Sequence, residues 1–243
     1  MGISINTDKE KVLGVLWDVV RDKLCFKVKI NHIKKLDSNS SFTKRIALST
    51  VNGIFDPIGL GAPVTVQGKM LLRELTSIEP RLCWDDPIPD SYRQNWDTFL
   101  GELECLQDLE FARCVKPDNA MSGPILVTFS DASECIFGSC CYFTWGISTG
   151  SFKSALILSK NRVAPIKRLS IVRLELSAAV LAVRMRRFIF DNCRFNIERV
   201  IHIVDSEIVR SMIQKESYGF NTFAGTRLGE IQTHSKPNEW FRP

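Results

Sequence analysis

Ile125-Leu126-Val127-Thr128-Phe129-Ser130-Asp131 alternates as a strand does and then stops on a carboxylate. Apolar Ile125, Val127 and Phe129 interleave with Leu126 and Thr128, the pattern of a strand buried mostly on one face. Asp131 is followed by the small, turn-prone pair Ala132-Ser133. A carboxylate at the carboxyl end of a central strand is placed to meet metal or substrate just outside the sheet. The bland alternative is a surface aspartate that merely closes a strand, so the weight falls on what the rest of the chain supplies.

Downstream, residues 137–145 and 152–158 read as two more strands around the turn 146–150, which with the first make an antiparallel meander. Ser159-Lys160-Asn161-Arg162 and Lys167-Arg168 form a basic loop before a long helix over about 172–190. Leu174, Ala178, Leu181, Val183 and Met185 supply the apolar content of that helix. Val200-Ile201-His202-Ile203-Val204 is a strand ending on Asp205; 207–216 and 223–233 read as helices, and Trp240-Phe241 opens a last strand. His202 reads as a core or surface histidine rather than a ligand, and His32 and His234 carry no readable signal. Three strands, a helix, a strand and a helix describe a mixed α/β sheet.

Upstream, Val12-Leu13-Gly14-Val15-Leu16-Trp17 and Leu24-Cys25-Phe26-Lys27-Val28-Lys29-Ile30 are strand-like and are separated by a polar stretch, which predicts a β-hairpin. Lys34, Lys35, Lys44 and Arg45 lie in a Ser-rich segment read as solvated surface. Residues 43–55 and 64–78 read as helices joined by the turn Asp56-Pro57-Ile58-Gly59, with Pro63 suited to a first helical turn. Trp84-Asp85-Asp86 has the look of a polymerase aspartate pair, but Pro87-Ile88-Pro89 follows at once and forbids the hairpin arm such a pair needs. Turn chemistry is the better reading of those two acids. Asp90 or Ser91 then caps an amphipathic helix carrying Trp96, Phe99, Leu100, Leu103 and Leu106 on its core face. The turn formers from Pro117 to Pro124 mark a linker, so two domains are expected, 1–118 and 119–243.

The composition, 44% hydrophobic and 24% charged over 243 residues, describes a chain able to bury a core. A net charge of +5 is compatible with a polyanionic partner without requiring one. No apolar run approaches the roughly 18 residues needed to span a bilayer, and the first residues lack a signal-peptide core. No membrane is expected. The eight cysteines are scattered with no C-x-x-C pair, which points to a reducing, intracellular setting, cytoplasmic or within a particle, without disulfides or a zinc site.

The chemistry rests on Asp131, Glu175 and Asp205. The first ends a strand, the second falls in the opening turn of the long helix, and the third ends the later strand. If the two strands are parallel neighbours, both aspartates leave the same end of the sheet, and the helix can aim Glu175 there. Three such carboxylates repel unless cations neutralise them. Oxygen ligands without Cys or His suit Mg²⁺ or Mn²⁺, and a two-metal site of this kind supports phosphodiester hydrolysis. Taken singly, each has a structural explanation: the helix dipole for Glu175, an N-cap for Asp205-Ser206.

These residues also resemble a family. Phe129-Ser130-Asp131-Ala132-Ser133, the run Ser159 to Pro165, Arg173-Leu174-Glu175-Leu176 with Ala178-Ala179, and Val204-Asp205-Ser206 are similar to the ribonuclease H region of BEL/Pao retrotransposon polyproteins. Leu13-Gly14-Val15-Leu16-Trp17-Asp18 resembles the hairpin after that family's polymerase palm. Thr43-Lys44-Arg45, the segment from Phe55 to Val64, and Trp84-Asp85 resemble its connecting region. The resemblance implies a mixed α/β fold: a ribonuclease H-like mixed sheet with helices, preceded by a β-hairpin and a mostly helical, connection-like half. It implies a fragment of a reverse transcriptase that cleaves the RNA strand of RNA–DNA hybrids. Asp131, Glu175 and Asp205 match three metal-binding carboxylates. Lys160, Arg162, Lys167 and Arg168 are candidates for hybrid phosphates, where basic side chains give affinity without reading sequence. The partners implied are the hybrid or another nucleic acid and the remainder of the Pol polyprotein.

Several positions depart from the family pattern. The polymerase aspartate pair is absent, the family's fourth carboxylate would fall beyond Pro243, Val172 stands where proline is usual, and Met212 where tryptophan is frequent. No Asp-Thr-Gly or Asp-Ser-Gly triplet supports protease activity. The alternative to a nuclease is therefore a catalytically inactive nucleic-acid-binding or structural remnant of a Pol protein.

Overall fold

The computed structural model describes residues 9–12, 15–28 and 42–243, so His32, Lys34, Lys35 and the end of the second expected strand lie outside the described residues. The chain forms two compact units: 1–57 with 61–114, and 58–60 with 115–243.

The first unit carries a four-stranded antiparallel sheet, β1 (Lys9–Val12), β2 (Val15–Asp18), β3 (Lys23–Cys25) and β4 (Glu110–Ala112), in that order. The expected hairpin is β2–β3; β1 and β4 are additional, the latter joining from far along the chain. Asp22 takes a φ of 52° in the hairpin turn, a conformation that aspartate tolerates better than most residues. Its carboxylate pairs with Arg113 and accepts a hydrogen bond from Trp17 Nε1 at 2.9 Å. Glu110 on β4 holds Arg21 at 2.6 Å and Lys23 at 2.8 Å, so charge as well as backbone pairing ties β4 to the hairpin.

Three helices follow: α1 (Lys44–Asn52), α2 (Ala62–Thr76) and α3 (Asp90–Cys105). Thr43 caps α1 by accepting from the Ile46 amide, and Pro63 sits in the first turn of α2. In the core Phe42 packs at a tilt against Trp96, and Trp96 edge-to-face against Phe99, with ring centroids 5.4 and 5.7 Å apart. Helix α3 starts one residue earlier than expected: Pro89 occupies the cap without a side-chain bond, and Asp90 lies inside the first turn, where the dipole favours it. Lys44, expected in solvent, is buried, its ammonium 5.2 Å from the Trp84 ring centroid. Arg45 grips Asp85 through two bonds of 2.7 and 2.9 Å, and Asp86 accepts from the Cys83 amide at 2.7 Å, so both acids serve the turn.

The second unit is a five-stranded mixed sheet in the order β7-β6-β5-β8-β9. Strands β5 (Ile125–Ala132), β6 (Ile136–Gly146) and β7 (Phe152–Val163) form the antiparallel meander. Helix α4 (Ile171–Asn192) crosses over to β8 (Arg199–Val204), which runs parallel to β5. Helices α5 (Glu207–Ile213) and α6 (Thr222–His234) lead to the short β9 (Trp240–Phe241), parallel to β8. The run Ser159–Arg162, expected as a basic loop, is instead the far end of β7, paired with β6 from Phe137 to Cys140.

Helix α4 lies over β5 and β6, and Leu126, Cys141, Phe143 and Leu158 pack there with Met185 and Ile189. The buried face of β5 is consequently Leu126, Thr128 and Ser130. Ile125 and Val127 are half-buried on the opposite face, and Phe129 is 42% exposed. Sequence alternation identified the strand but not the side the helix would take. Thr128 survives in the core because its hydroxyl lies 2.6 Å from His202 Nδ1, which answers the cost of burying a polar group. On its other side α4 packs with α5 and α6 through Leu176, Ala179, Val180, Val183, Leu228 and Ile231, so its middle is apolar nearly all round.

Candidate functional site

The parallel pairing of β5 with β8 sets Ser130 opposite Val204. Asp131 and Asp205 are therefore successive residues on neighbouring strands, which run about 4.8 Å apart. Both are exposed, on the face that α4 leaves open, and both line one cleft of about 520 Å³. Phe129, Ile203, Gly138 and Asn161 contribute to its walls. The local chain explains why these acids are available. Ser206, not Asp205, caps α5 by accepting from the Val209 amide at 3.3 Å, which leaves the Asp205 carboxylate to the cleft. Asp131 spends one oxygen on the adjacent Ala132 amide at 2.7 Å and keeps the other.

Glu175 is placed differently. Helix α4 begins at Ile171, so Glu175 opens its second turn rather than its first; it is half-buried and is not among the residues that line the cleft. Among the described residues no three acidic, histidine or cysteine side chains are grouped as a metal site would require. Two of the three carboxylates thus line one cleft, and carboxylate oxygens are the donor type that a hard cation takes.

Of the four basic candidates one, Lys160, is among the residues lining the aspartate cleft, and the other three are dispersed. Lys160 runs over Phe188 of α4, 5.9 Å from the ring centroid. Arg168 pairs with Glu134 at 2.7 Å, both ends well exposed, a contact that solvent screens and a phosphate can replace. Lys167 is exposed beside it. Arg162 lines a second, smaller cleft together with Arg184 and Arg227, neither of which was singled out in the sequence. A signal existed: Arg173, Ser177 and Arg184 fall at i, i+4 and i+11, a polar stripe along one side of the helix.

A mixed sheet whose meander is joined through a crossover helix to a parallel fourth strand, with an aspartate at the end of each parallel neighbour, defines a ribonuclease H-like domain. The sequence specifies the family: residues 43–206, well over half of the chain, match the Pao retrotransposon-like RNaseH-like domain, and the chain belongs to that family. Among solved structures it is similar to the foamy viral protease-reverse transcriptase dRH in complex with ds DNA. The TM-score is 0.53 at 11% identity, covering 97% of this chain and 37% of that one. The foamy viral protease-reverse transcriptase in complex with dsDNA gives a TM-score of 0.50 at 10% identity, covering 97% and 44%. At such identities the likeness is one of fold, and the chain spans less than half the length of either structure. No curated protein sequence matches it. Among the described residues no helix is long and apolar enough to cross a membrane.

Proposed function

We propose that the second unit is a divalent-cation-dependent ribonuclease H, acting on the RNA strand of RNA–DNA hybrids as part of a retrotransposon Pol protein. The observation that carries this reading is the juxtaposition of Asp131 and Asp205 at the ends of adjacent parallel strands in one open cleft. Those two aspartates hold the cation, Mg²⁺ or Mn²⁺, and Glu175, which matches the family's helical carboxylate, is the third ligand. Such a cation supplies an activated water and neutralises charge on the leaving oxygen. The protein's part is to fix the paired carboxylates on a rigid sheet and to receive the hybrid's phosphates on Lys160, Lys167 and Arg168. Nucleic acid as partner is supported by the similar foamy viral structures, both complexes with double-stranded DNA.

The test is cleavage of a labelled hybrid by the full chain with Mg²⁺, repeated with Asp131→Asn and Asp205→Asn. Each substitution is expected to cut the rate about a hundredfold or more, the scale on which removing one preorganised electrostatic contact acts. Wild-type rates in either variant, or cleavage undiminished by chelator, would remove the assignment. Glu175→Gln separates the third ligand from the pair. A loss comparable to that of Asp131→Asn is expected, and full activity would leave the cation to the two aspartates alone.

A further inference from the structure

The second cleft, about 210 Å³, is bounded by β6 and β7 on one side and by α4 and α6 on the other. Its polar walls are Arg162, Ser177, Arg184, Thr226, Arg227 and Glu230, over an apolar floor that includes Val180 and Leu181. Three guanidinium groups against one carboxylate leave an excess of two positive charges. Glu230 is already committed, since both its oxygens accept from Arg184, at 2.5 and 2.8 Å. Arg162 has no carboxylate partner among the described residues.

Arg227 is held ready rather than neutralised. Its Nε donates to Ser177 Oγ at 3.3 Å, one terminal nitrogen donates to the Phe223 carbonyl at 3.0 Å, and its plane lies over the Phe223 ring, 3.5 Å from the centroid. Arg173 covers the same ring at 5.0 Å. Burial, then the neighbouring Arg184, push the Arg227 pKa below its ordinary value; Glu230 offsets part of this, and Arg173 adds to it. Converging cations that no carboxylate fully offsets are stable only at a cost, and a bound oxyanion removes that cost.

We propose that this cleft is a phosphate-binding site, distinct from the aspartate cleft, in which Arg162 and Arg227 grip a tetrahedral phosphate group; the Ser177 and Thr226 hydroxyls, which donate to the Arg173 and Thr222 carbonyls, line it without supplying a donor. Arginine forks match phosphate oxygens, and a fixed fork loses little freedom on binding. The volume lies below the ~300–1,000 Å³ of pockets that enclose drug-sized ligands, so it takes one phosphate group and not a whole nucleotide. The group comes either from a nucleic-acid backbone or from free phosphate. The first source rests on the function proposed above; the site itself does not.

The full chain is titrated with inorganic phosphate in chelator, at ionic strength held constant with chloride, following the melting temperature and the heat of binding. Saturable binding is expected, weakened about tenfold in Arg162→Gln, the equivalent of one charge-assisted hydrogen bond. Among the described residues the Arg162 side chain makes no hydrogen bond or ion pair that the fold would lose, so this variant remains informative if Arg227→Gln fails to fold. Asp131→Asn is expected to keep the phosphate response, which separates this site from the nuclease reading. In the second arm, RNA–DNA hybrid binding is measured against salt. A salt slope lower by about one in Arg162→Gln identifies a backbone phosphate as occupant, and an unchanged slope identifies free phosphate. No saturable phosphate binding, or equal affinity in wild type and Arg162→Gln, would overturn the proposal.

Discussion

His202 is the residue whose environment departs furthest from water. It is fully buried, stacks on Trp240 with ring centroids 4.4 Å apart, and touches Thr128 through Nδ1, while Nε2 has no hydrogen-bond partner among the described residues. Burial, helped by the positive charge of Arg186, pushes its pKa down to about 3. A histidine in the unfolded chain titrates near 6.5. Between these values the unfolded state binds the extra proton, so the stability that the neutral ring confers is complete above about pH 6.5 and lost as pH falls towards 3. Urea unfolding at pH 7.5 and pH 5 should show a loss of about 2 kcal/mol, at about 1.4 kcal/mol per pH unit below 6.5. His202→Leu should lack that increment. An equal loss in both proteins would mean the ring titrates normally. Trp240 lies on the other side of this stack, its Nε1 bonded to Ser235 Oγ at 2.9 Å, and Trp240→Ala should cost about 3–5 kcal/mol of stability, read from the denaturation midpoint.

The packing of elements depends on the absence of a side chain at Gly59 and Gly68, among other positions. Gly59 has a φ of 82°, and a Cβ there would lie 2.1 Å from the Ser159 carbonyl oxygen, against the strand it borders. The Ser159 amide donates to Ile58 at 2.7 Å, so this short segment is bound along β7. Gly68 of α2 meets α3: its Cβ would stand 2.3 Å from the Phe99 ring and 2.7 Å from Val51. Gly59→Ala should destabilise the fold through both φ and contact, and Gly68→Ala by about 1–3 kcal/mol as overpacking of a filled core. Unchanged melting temperatures would show that neither approach is as close as described. Helix periodicity located α2 and α3 and the buried stripe Trp96, Phe99 and Leu103, because those signals are local. Strand β4 was not legible: three residues, Glu-Phe-Ala, carry no period of their own and become a strand only because β3 offers an edge. The basic run at 159–162 misled for the same reason, since pairing with β6 rather than composition extends β7.

Over the whole chain, charge acts in two separate ways. Asp18, Asp22, Asp85 and Glu110 are held below their ordinary pKa, each chiefly by hydrogen bonds from Arg or Lys partners or, for Asp18, from the Arg21 backbone first. Groups depressed in this way stabilise the fold above the unfolded carboxylate pKa and lose that contribution as pH falls through about 4 and below. Acid unfolding should therefore show two windows, the histidine's beginning near 6.5 and the carboxylates' near 4. Arg113→Gln should shrink only the second; a change in the first would contradict the assignment. The net charge of +5, with exposed Lys167 and Arg168, further predicts that any nucleic-acid affinity falls linearly on a logarithmic salt axis. Salt-insensitive binding would argue against phosphate contacts.

In the second unit the order of strands and helices, the aspartates closing β5 and β8, and the family itself could all be read from the chain. Periodicity, turn residues and motifs are properties of neighbours in sequence. Which face of β5 is buried, that Asp131 and Asp205 line one cleft while Glu175 is not among its lining residues, and that arginines from β7, α4 and α6 line another could not be read that way. These are distances between residues 22 to 74 positions apart, and they exist only once α4 has chosen one side of the sheet and β8 has paired beside β5.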